Sequence, residues 1–428
     1  MLQNARSTLC RLPRPSLWRL LTVPRITALA LMSLLVGTTW ADISAAPTRQ
    51  PQVEVRAIDA RARESAREIE RLAERLTREF GVVGLGISIV HGDEVLLERG
   101  FGLQQMGRND PVGADTAFRL ASLSKPIAGA LAGLLVLEGA LSWDTRVADH
   151  LPAFSLANAD TAMNTTAADL LSHRVGLGFH TFDRELEADQ PYPVLAQRLA
   201  EAPMLCPDGR CYAYQNIAFS LIGDLAFAVT GDFFTLLVEK KLFHPLGMFG
   251  ATYGREGLES SSSWARPHVM RGGRFVALRP KENYYRVPPA AGVNASARDM
   301  SQWLLAQMGR RPDVLPPELL EATQAPRIAT ASEMRAVPWR QARLRSAHYG
   351  LGWRIFDYSG EKLVFHGGAV QGYRAVIAFL PERGFGIAIL ANCECRLPSQ
   401  LMPIAIDRVL DLPRRDWLEL DKQPRRRR

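Results

Sequence analysis

Residues 120–141, LASLSKPIAGALAGLLVLEGAL, bring Ser122 and then Lys125 to the start of a run that is almost wholly apolar. The length and composition of this run predict a buried helix that begins near Ser122. Side chains three residues apart share a helical face, so the hydroxyl and the amine are expected to be neighbours. This chain has only six lysines, and arginine carries nearly all its positive charge. Because a buried lysine can release its proton and an arginine cannot, Lys125 is a candidate base for a nucleophilic Ser122.

Two other interpretations apply to this motif. Serine is a common N-cap residue, so Ser122 could do no more than begin the helix. A second S-x-x-K match, Ser359 to Lys362, falls between two predicted strands, and we expect it to form a solvated surface turn.

The net charge of +8 is concentrated at the two ends of the chain. Residues 1–46 contain five arginines and one acidic residue, and residues 425–428 are all arginine, so the remainder is close to neutral. A protein body without a basic surface excess is not expected to bind nucleic acid.

The N-terminal segment has the pattern of a secretory signal. Its arginines precede the apolar run ITALALMSLLVG at residues 26–37, and small residues follow up to Ala46, with Ala41 as a second candidate cleavage point. We therefore expect a periplasmic or secreted protein, or an inner-membrane anchor if residues 1–46 are retained. The leader and the basic tail at residues 414–428 are the two candidates for weak membrane contact, and a solvated tail is the alternative.

Export would place four cysteines, which follow the leader, in an oxidising compartment. In CPDGRC a Pro-Asp-Gly turn separates Cys206 from Cys211, so this pair is a candidate disulfide. The remaining two are Cys393 and Cys395. Four cysteines can pair in three ways, and the sequence alone does not choose among them. Free buried thiols are the alternative. We predict no metal site and no cofactor.

Periodicity predicts the fold class. An amphipathic helix at residues 57–80 precedes a β-hairpin, and four strand-like segments near the C-terminus, YGLGWRIF, KLVFH, YRAVIAFL and GFGIAILAN, precede a helix at about residues 401–412. These features predict an α/β (α+β) protein with one mainly antiparallel sheet built from both ends of the chain and flanked by the terminal helices. The predicted domain covers residues 47–413, with its α/β part at about 55–135 and 295–412 and a mostly helical insertion at about 136–294.

Two further motifs carry polar groups beside apolar segments. Tyr214 and Asn216 form the only Tyr-x-Asn in the chain, just before the segment IAFSLIGDLAFAV. In the third motif, a predicted strand ends in His366, Gly367 and Gly368, and the two glycines are expected to expose bare backbone to a substrate. Taken alone, either motif would fit an ordinary loop edge.

In this order, S-x-x-K, Y-x-N and H-G-G resemble the serine β-lactamase/penicillin-binding protein superfamily. The Tyr-x-Asn variant is similar to the class C-like branch, with its class C β-lactamases, D-alanyl-D-alanine carboxypeptidases, D-aminopeptidases and related esterases. The flanking segments FRLASLSKPIAG, TAADLLSHRVGL, HPLGM and YGLGW follow the same order over about residues 81–392. The resemblance implies a β-lactamase/transpeptidase-like fold.

The resemblance also implies a role for each motif residue. Ser122 would be the nucleophile, Lys125 would keep it activated, and Tyr214, as a phenolate held by Lys125, would be the shared general base. Asn216 would bind the amide side of the substrate, and His366 would place a donor or cation near a substrate carboxylate.

The backbone N–H groups of Ser122 and Ala369 would form the oxyanion hole for the acyl-transfer intermediate. His173, in SHRVGL, is expected to order a loop and not to catalyse.

These roles predict an exported serine hydrolase that forms an acyl-enzyme on peptide or amide substrates such as D-alanyl peptides. The histidine of HGG, where efficient class C β-lactamases have the lysine of KTG, disfavours antibiotic resistance as the main role. A carboxylesterase on small acyl esters, a weak β-lactamase and a non-catalytic binding homologue are the alternatives. The absence of G-x-S-x-G and HExxH from the sequence disfavours an α/β-hydrolase and a zinc hydrolase.

Overall fold

The predicted N-terminal hairpin forms one side of the central sheet. A computed structural model describes residues 50–206 and 210–419, so the predicted leader and the last residues of the basic tail lie outside the described residues. The hairpin consists of β1 (Gly84–His91) and β2 (Glu94–Gly102). The other strands are β3 (Phe118–Arg119), β4 (Thr252–Tyr253), β5 (His268–Arg271), β6 (Arg274–Ala277), β7 (Val293–Ala295), β8 (Ile328–Ala329), β9 (Leu344–Tyr349), β10 (Arg354–Tyr358), β11 (Glu361–Val370), β12 (Tyr373–Leu380) and β13 (Phe385–Ala391).

The helices cover both faces of this sheet. They are α1 (Gln50–Glu79), α2 (Ser124–Leu137), α3 (Val147–His150), α4 (Ala159–Asn164), α5 (Ala167–Leu171), α6 (Asp183–Glu187), α7 (Tyr192–Gln197), α8 (Ile217–Thr230), α9 (Phe234–Val238), α10 (His244–Leu246), α11 (Gly254–Glu259), α12 (Pro288–Ala291), α13 (Ala297–Gln307), α14 (Pro317–Thr323), α15 (Pro338–Arg343) and α16 (Leu397–Val409). Within the described residues no single helix is long and apolar enough to cross a membrane, although a bent pair, Ile217–Thr230 with Phe234–Leu246, meets the criteria of length and composition.

Both ends of the chain contribute to one antiparallel sheet, as predicted. Its order is β2-β1-β13-β12-β11-β10-β9-β8, and every neighbouring pair is antiparallel. The N-terminal strand β1 lies beside the last strand, with Ile87 opposite Ile389. The prediction of a mixed α/β fold with a large antiparallel sheet is therefore confirmed.

Two apolar cores hold the sheet between its helices. On one face, α1 and α16 pack on β1 and β13, and the helix α1 turns Ile69, Ala73 and Leu76 inward at helical spacing. On the other face, α13 and the helices from the middle of the chain bury the alternate residues of the same strands. Because both faces are covered, β1 is buried along almost its whole length.

The helix α2 is apolar because other elements surround it. A Cβ on Gly129 would lie 2.3 Å from the carbonyl oxygen of Leu351, and a Cβ on Gly352 would lie 2.5 Å from that of Lys125. Gly352 also has a φ of +86°, which glycine adopts at little cost. The two glycines let the loop between β9 and β10 lie directly on the helix that carries the S-x-x-K motif.

The structure corrects several boundaries. YGLGWRIF is not one strand, because β9 ends at Tyr349 and β10 begins at Arg354, with the α2-packing loop between them. The last helix spans Leu397–Val409, four residues earlier than predicted at its start. Two small sheets, β3-β7-β4 and β5-β6, were not anticipated because their strands have only two to four residues.

Candidate active site

Ser122 lies where the chain turns into α2. It belongs to a short 3₁₀ turn, Ala121–Leu123, and its partly exposed side chain lines a cleft. The N-cap residue of α2 is Leu123, and no side chain caps that helix, so the N-cap alternative for Ser122 is excluded. Ala121 has a φ of +52°, in the left-handed region that is unfavourable for a residue with a Cβ. Backbone strain of this kind is concentrated at functional sites.

Lys125 is completely buried in the first turn of α2. Its Nζ donates to Asn216 Oδ1 at 2.7 Å and to the carbonyl oxygen of Ala290 at 3.1 Å. Burial lowers the pKa of Lys125 well below its usual value; Asp183 opposes this effect and Arg354 adds to it. A neutral amine has two N–H donors and one lone pair, and the two acceptors match those donors. The lowered pKa favours this neutral form, in which the lone pair is free to accept a proton.

Tyr214 lines the cleft with Ser122, and the buried Lys125 lies beside its ring. The Lys125 Nζ lies 4.5 Å from the centre of the Tyr214 ring. Burial raises the pKa of Tyr214 well above its usual value, while Arg354 and a hydrogen bond from Ser122 lower it. The net direction is upward, so the tyrosine keeps its proton at rest. This direction favours the phenol over the predicted phenolate and leaves the Lys125 amine as the candidate for the resting base.

His173 positions the segment that carries Tyr214. Its Nδ1 accepts a hydrogen bond from the Gln215 backbone N–H at 3.2 Å, and its carbonyl oxygen accepts one from Ala213 at 3.1 Å. Its buried ring lies 4.4 Å from the Tyr214 ring, centre to centre. These contacts agree with the loop-ordering role predicted for His173.

Two residues that the sequence analysis missed extend the network beyond Asn216. The Asn216 Nδ2 donates to Asp183 Oδ2 at 2.8 Å, and the same oxygen lies 2.7 Å from His180 Nδ1. Asp183 is nearly buried, at 7% exposure, and His180 lies on the cleft wall. Their segment reaches Asn216 through a turn in which His180 and Phe182 have positive φ. No local sequence motif predicts such a turn, so no sequence signal identifies Asp183 and His180 as site residues.

His366 is placed differently from the prediction. It is fully buried and does not line the cleft; its Nε2 lies 3.0 Å from the Tyr349 hydroxyl and its Nδ1 lies 2.9 Å from the carbonyl oxygen of Gly367. Burial lowers the pKa of His366 well below its usual value, and the charge of Arg354 lowers it further. His366 therefore does not supply the expected cation for a substrate carboxylate. Its ring contacts the buried Tyr349 hydroxyl instead.

The end of β11 forms one wall of the cleft. Gly367, Gly368 and Ala369 all line it, beside Ser122. A Cβ on Gly368 would lie 2.2 Å from the carbonyl oxygen of Leu120, so glycine is needed there for β11 to approach the turn before α2. A Cβ on Gly367 would meet nothing closer than 3.6 Å. Only Gly367 is thus free to serve the predicted purpose of presenting bare backbone to a substrate.

The cleft has a volume of about 860 Å³ and charged groups on two sides. Asp183 and Glu187 lie on one wall. On another, Arg354 pairs with Glu333 at 2.6 Å, and the same carboxylate also pairs with Arg340. Among the residues that the structure describes, no group of three or more His, Cys, Asp or Glu side chains could hold a metal ion.

The predicted disulfide candidates are joined in the structure. Cys206 and Cys211 form a disulfide with an S–S distance of 1.98 Å, and Cys393 and Cys395 form a second disulfide. The first disulfide lies just before Tyr214 in the sequence, and Cys395 lines the cleft.

Comparisons with known proteins identify the family of the chain. The Beta-lactamase family model matches residues 69–406. "Unguisins hydrolase ungD'" of Aspergillus campestris is 26% identical over 352 residues, which are 78% of this chain and 64% of that protein. "Protein flp" of Staphylococcus aureus strain MW2 is 23% identical over 79% of this chain and 65% of its own length. The matches thus span less than two thirds of the length of these relatives.

Two solved structures share the fold. The "octameric penicillin-binding protein homologue from Pyrococcus abyssi" has a TM-score of 0.67 and 24% identity, over 81% of this chain and 77% of that one. The structure of "SurE" has a TM-score of 0.65 and 22% identity, over 84% of this chain and 80% of that one.

Proposed function

Because the chain belongs to the Beta-lactamase family, we propose that it is an exported serine hydrolase that forms an acyl-enzyme on Ser122. The observation that carries this proposal is that Ser122 and Tyr214, from two distant segments, line one cleft, with the buried Lys125 Nζ 4.5 Å from the centre of the Tyr214 ring. A buried amine with a free lone pair, next to a hydroxyl on a strained turn, is suited to activate that hydroxyl. The hydrolase named among the relatives supports the same reaction class.

The acylation step follows from these protonation states. Ser122 Oγ attacks the substrate carbonyl carbon while its proton passes, through the Tyr214 hydroxyl, towards the neutral Lys125 amine. The oxyanion that forms would be held by the backbone N–H groups of Ser122 and Ala369, each typically contributing about 10²–10³ in rate. Tyr214 then gives a proton to the leaving group and regains one from Lys125, so the ammonium is only transient.

Deacylation reverses the same transfers with water as the nucleophile. Tyr214 and Lys125 take a proton from the water as its oxygen attacks the ester carbonyl, and Ser122 Oγ recovers a proton when the C–O bond breaks. Asn216 would both hold the Lys125 amine and donate to the amide side of the substrate, and its link to Asp183 fixes the orientation of its side-chain amide.

The proposed substrates are peptides or amides, with D-alanyl peptides as the first class to test. A cleft of about 860 Å³ with charges on separate walls suits an extended polar substrate better than a small neutral ester. Carboxylesterase or weak β-lactamase activity would use the same groups, and a non-catalytic homologue would use none of them.

The test is covalent capture followed by turnover. Purified protein with its disulfides intact is incubated with a fluorescent penicillin, p-nitrophenyl esters and acyl-D-Ala-D-Ala peptides, and intact mass reports any adduct. We expect an adduct on Ser122, none in Ser122→Ala, and an unchanged adduct in Ser359→Ala, which alters the other S-x-x-K match. Ester turnover without a penicillin adduct would favour the esterase, and the absence of any reaction in the wild type would refute the hydrolase.

The proposed location is the periplasm or the medium. Expression of the full chain in a Gram-negative host, followed by fractionation and N-terminal sequencing, tests it. Cleavage after Ala41 or Ala46 is the expected result, an intact leader in the membrane fraction would favour the anchor, and retention in the cytoplasm would refute export.

A further inference from the structure

The connection between the last strand and the last helix forms a small covalent ring at the edge of the cleft. β13 ends at Ala391 and α16 begins at Leu397. Between them the disulfide of Cys393 and Cys395 encloses a single residue, Glu394. Within the ring the Cys395 N–H also donates to the Cys393 carbonyl oxygen at 2.9 Å, which makes the ring a three-residue turn. The acyl-transfer steps of the proposed function use neither of these two sulfur atoms.

The two cysteines of the ring differ in accessibility. Cys393 is completely buried in the core that α1 and α16 cover. Cys395 is partly exposed and lines the cleft, as do its neighbours Glu394 and Arg396. Exposed disulfides are the ones that exchange readily with small thiols, and a cation in the vicinity favours the attacking thiolate. A thiol that enters the cleft therefore reaches Cys395 and not Cys393.

The exchange has a defined order of steps. A thiolate attacks Cys395 Sγ, the S–S bond breaks, and its electron pair stays on Cys393 Sγ, which takes up a proton. A second thiolate then attacks the sulfur of the first in the mixed disulfide, and Cys395 leaves and is protonated. Two thiols have been oxidised to one disulfide, and the protein disulfide has been reduced to two thiols. The neutral thiol left on Cys393 suits its apolar surroundings, because a free cysteine behaves as a small hydrophobic residue.

Glu394, the residue inside the ring, holds a turn of the cleft wall. Its backbone N–H donates to the carbonyl oxygen of His268 on β5, and its Oε1 accepts from the Gly372 N–H, each at 3.1 Å. Gly372 lies in the turn between β11 and β12, with a φ of +77°, and a Cβ there would lie 2.3 Å from the Cβ of Pro267. This turn begins two residues after Ala369, which lines the cleft. Because a disulfide across one residue leaves its backbone little freedom, the ring keeps Glu394 where it makes both contacts.

We propose that Cys393 and Cys395 form a thiol–disulfide exchange site on the cleft wall, with low-molecular-weight thiols such as glutathione as its substrates. Opening of the ring frees the backbone of Glu394 and weakens its hold on the turn between β11 and β12. In the proposed function, on which this second step rests, the N–H of Ala369 binds the oxyanion, and its position depends on that turn. Reduction of the ring is therefore expected to slow acylation, by at least about threefold and by less than the roughly 10²–10³-fold that follows loss of an oxyanion donor.

The exchange is tested without an activity assay. The purified protein is equilibrated in glutathione buffers of graded redox ratio, free thiols are trapped with N-ethylmaleimide, and peptide mass spectrometry locates each label while tryptophan fluorescence reports the fold. We expect Cys393 and Cys395 to be labelled together in reducing buffer while the protein stays folded. In Cys393→Ser the remaining Cys395 should react in the native protein, whereas in Cys395→Ser the remaining Cys393 should react only after unfolding in urea.

The effect on the cleft wall is tested with a p-nitrophenyl ester in the same buffers. kcat/KM is expected to fall in proportion to the labelled fraction of the ring. Cys206→Ser/Cys211→Ser, which removes the other disulfide, should keep this response, and Cys393→Ser/Cys395→Ser should lose it. Glu394→Ala should also lose it, whereas Glu394→Gln, which keeps an acceptor oxygen at the end of the side chain, should retain it.

The outcomes separate the exchange site from the proposed function. Labelling of the ring only after the protein unfolds, or free thiols at every redox ratio, would overturn the exchange site, and native labelling of Cys393 in Cys395→Ser would overturn Cys395 as the attacked residue. Exchange with an unchanged kcat/KM, or a redox response that persists in Cys393→Ser/Cys395→Ser, would overturn the effect on Ala369. If the variant that lacks the other disulfide does not fold, the difference between the two Glu394 variants decides. If the oxidised wild type hydrolyses no ester and forms no Ser122 adduct, the proposed function fails, and the labelling still decides the exchange.

Discussion

Replacing Lys125 with methionine tests the neutral amine without relying on activity. Methionine nearly fills the volume of the lysine stem, and the protein loses only the titratable group and its two hydrogen bonds. Burial lowers the pKa of Lys125 in the folded state, whereas the unfolded chain holds its proton up to about pH 10.4. Between these values the unfolded state binds one more proton than the folded state.

The sign and the size of the effect follow from this difference. Because the unfolded state binds more protons, the wild-type free energy of unfolding rises with pH, by about 1.4 kcal/mol per unit. Between about pH 7.5 and 9.5 the gain is about 2.7 kcal/mol, provided that the folded pKa lies below this window. Lys125→Met lacks this contribution, and groups common to both proteins cancel in the difference.

The assay is reversible urea unfolding, followed by tryptophan fluorescence at several pH values across this window. The wild-type minus variant free energy should increase by about 2.7 kcal/mol, and the pH at which the increase begins reports the folded pKa. Lys125→Arg is the control, since a guanidinium stays charged in both states and its difference from Lys125→Met should not vary with pH. A flat wild-type difference would mean that Lys125 keeps its proton in the fold, and the proposed mechanism would lose its base.

Three further predictions concern the network around this amine. Gly368→Ala should lower the melting temperature by several degrees and abolish acylation, because its Cβ would lie 2.2 Å from a carbonyl oxygen. Gly367→Ala, the control, should melt like the wild type. Equal melting temperatures of the two variants would contradict this prediction. Asn216→Ala removes one hydrogen-bond partner from Lys125 and one from Asp183, and should lower the free energy of unfolding in urea by about 2–4 kcal/mol. A loss below about 0.5 kcal/mol would show that water replaces the Asn216 amide. His366→Gln should leave the shape of the kcat/KM profile at about pH 6.5 unchanged, since burial lowers the pKa of this histidine well below its usual value. Loss of an inflection there in the variant would refute this prediction.

Features set by local sequence could be predicted. The length and composition of the apolar run after Ser122 predicted a buried helix. Near the C-terminus, short turns such as Ser359–Gly360 separate the predicted strands. The antiparallel sheet follows because such short connections join only antiparallel neighbours. The S-x-x-K and Y-x-N motifs selected Ser122, Lys125 and Tyr214 as candidates, because their spacing on a helix or beside one is a local property.

Contacts that depend on loop paths could not be predicted. Asp183 reaches Asn216 across 33 residues, through a turn that contains two strained residues, and Glu333 reaches Arg354 from a separate short helical turn. Charged side chains in loops are ordinarily solvated, so composition gives no reason to select these from among the other acidic and basic residues. Their importance follows only from where the backbone places them.

The protonation states show why a motif alone does not define a mechanism. The resemblance assigns His366 as a cation or donor, whereas Lys125 is assigned as an activating amine both by its place in the apolar run and by the resemblance. Burial acts on both in the same direction, because it disfavours the charged form of each, and the neighbouring Arg354 reinforces it. The same burial that favours the neutral, basic form of Lys125 therefore also disfavours the charged form of His366. Arginine does not lose its proton, so Arg354 remains the fixed positive charge near both groups.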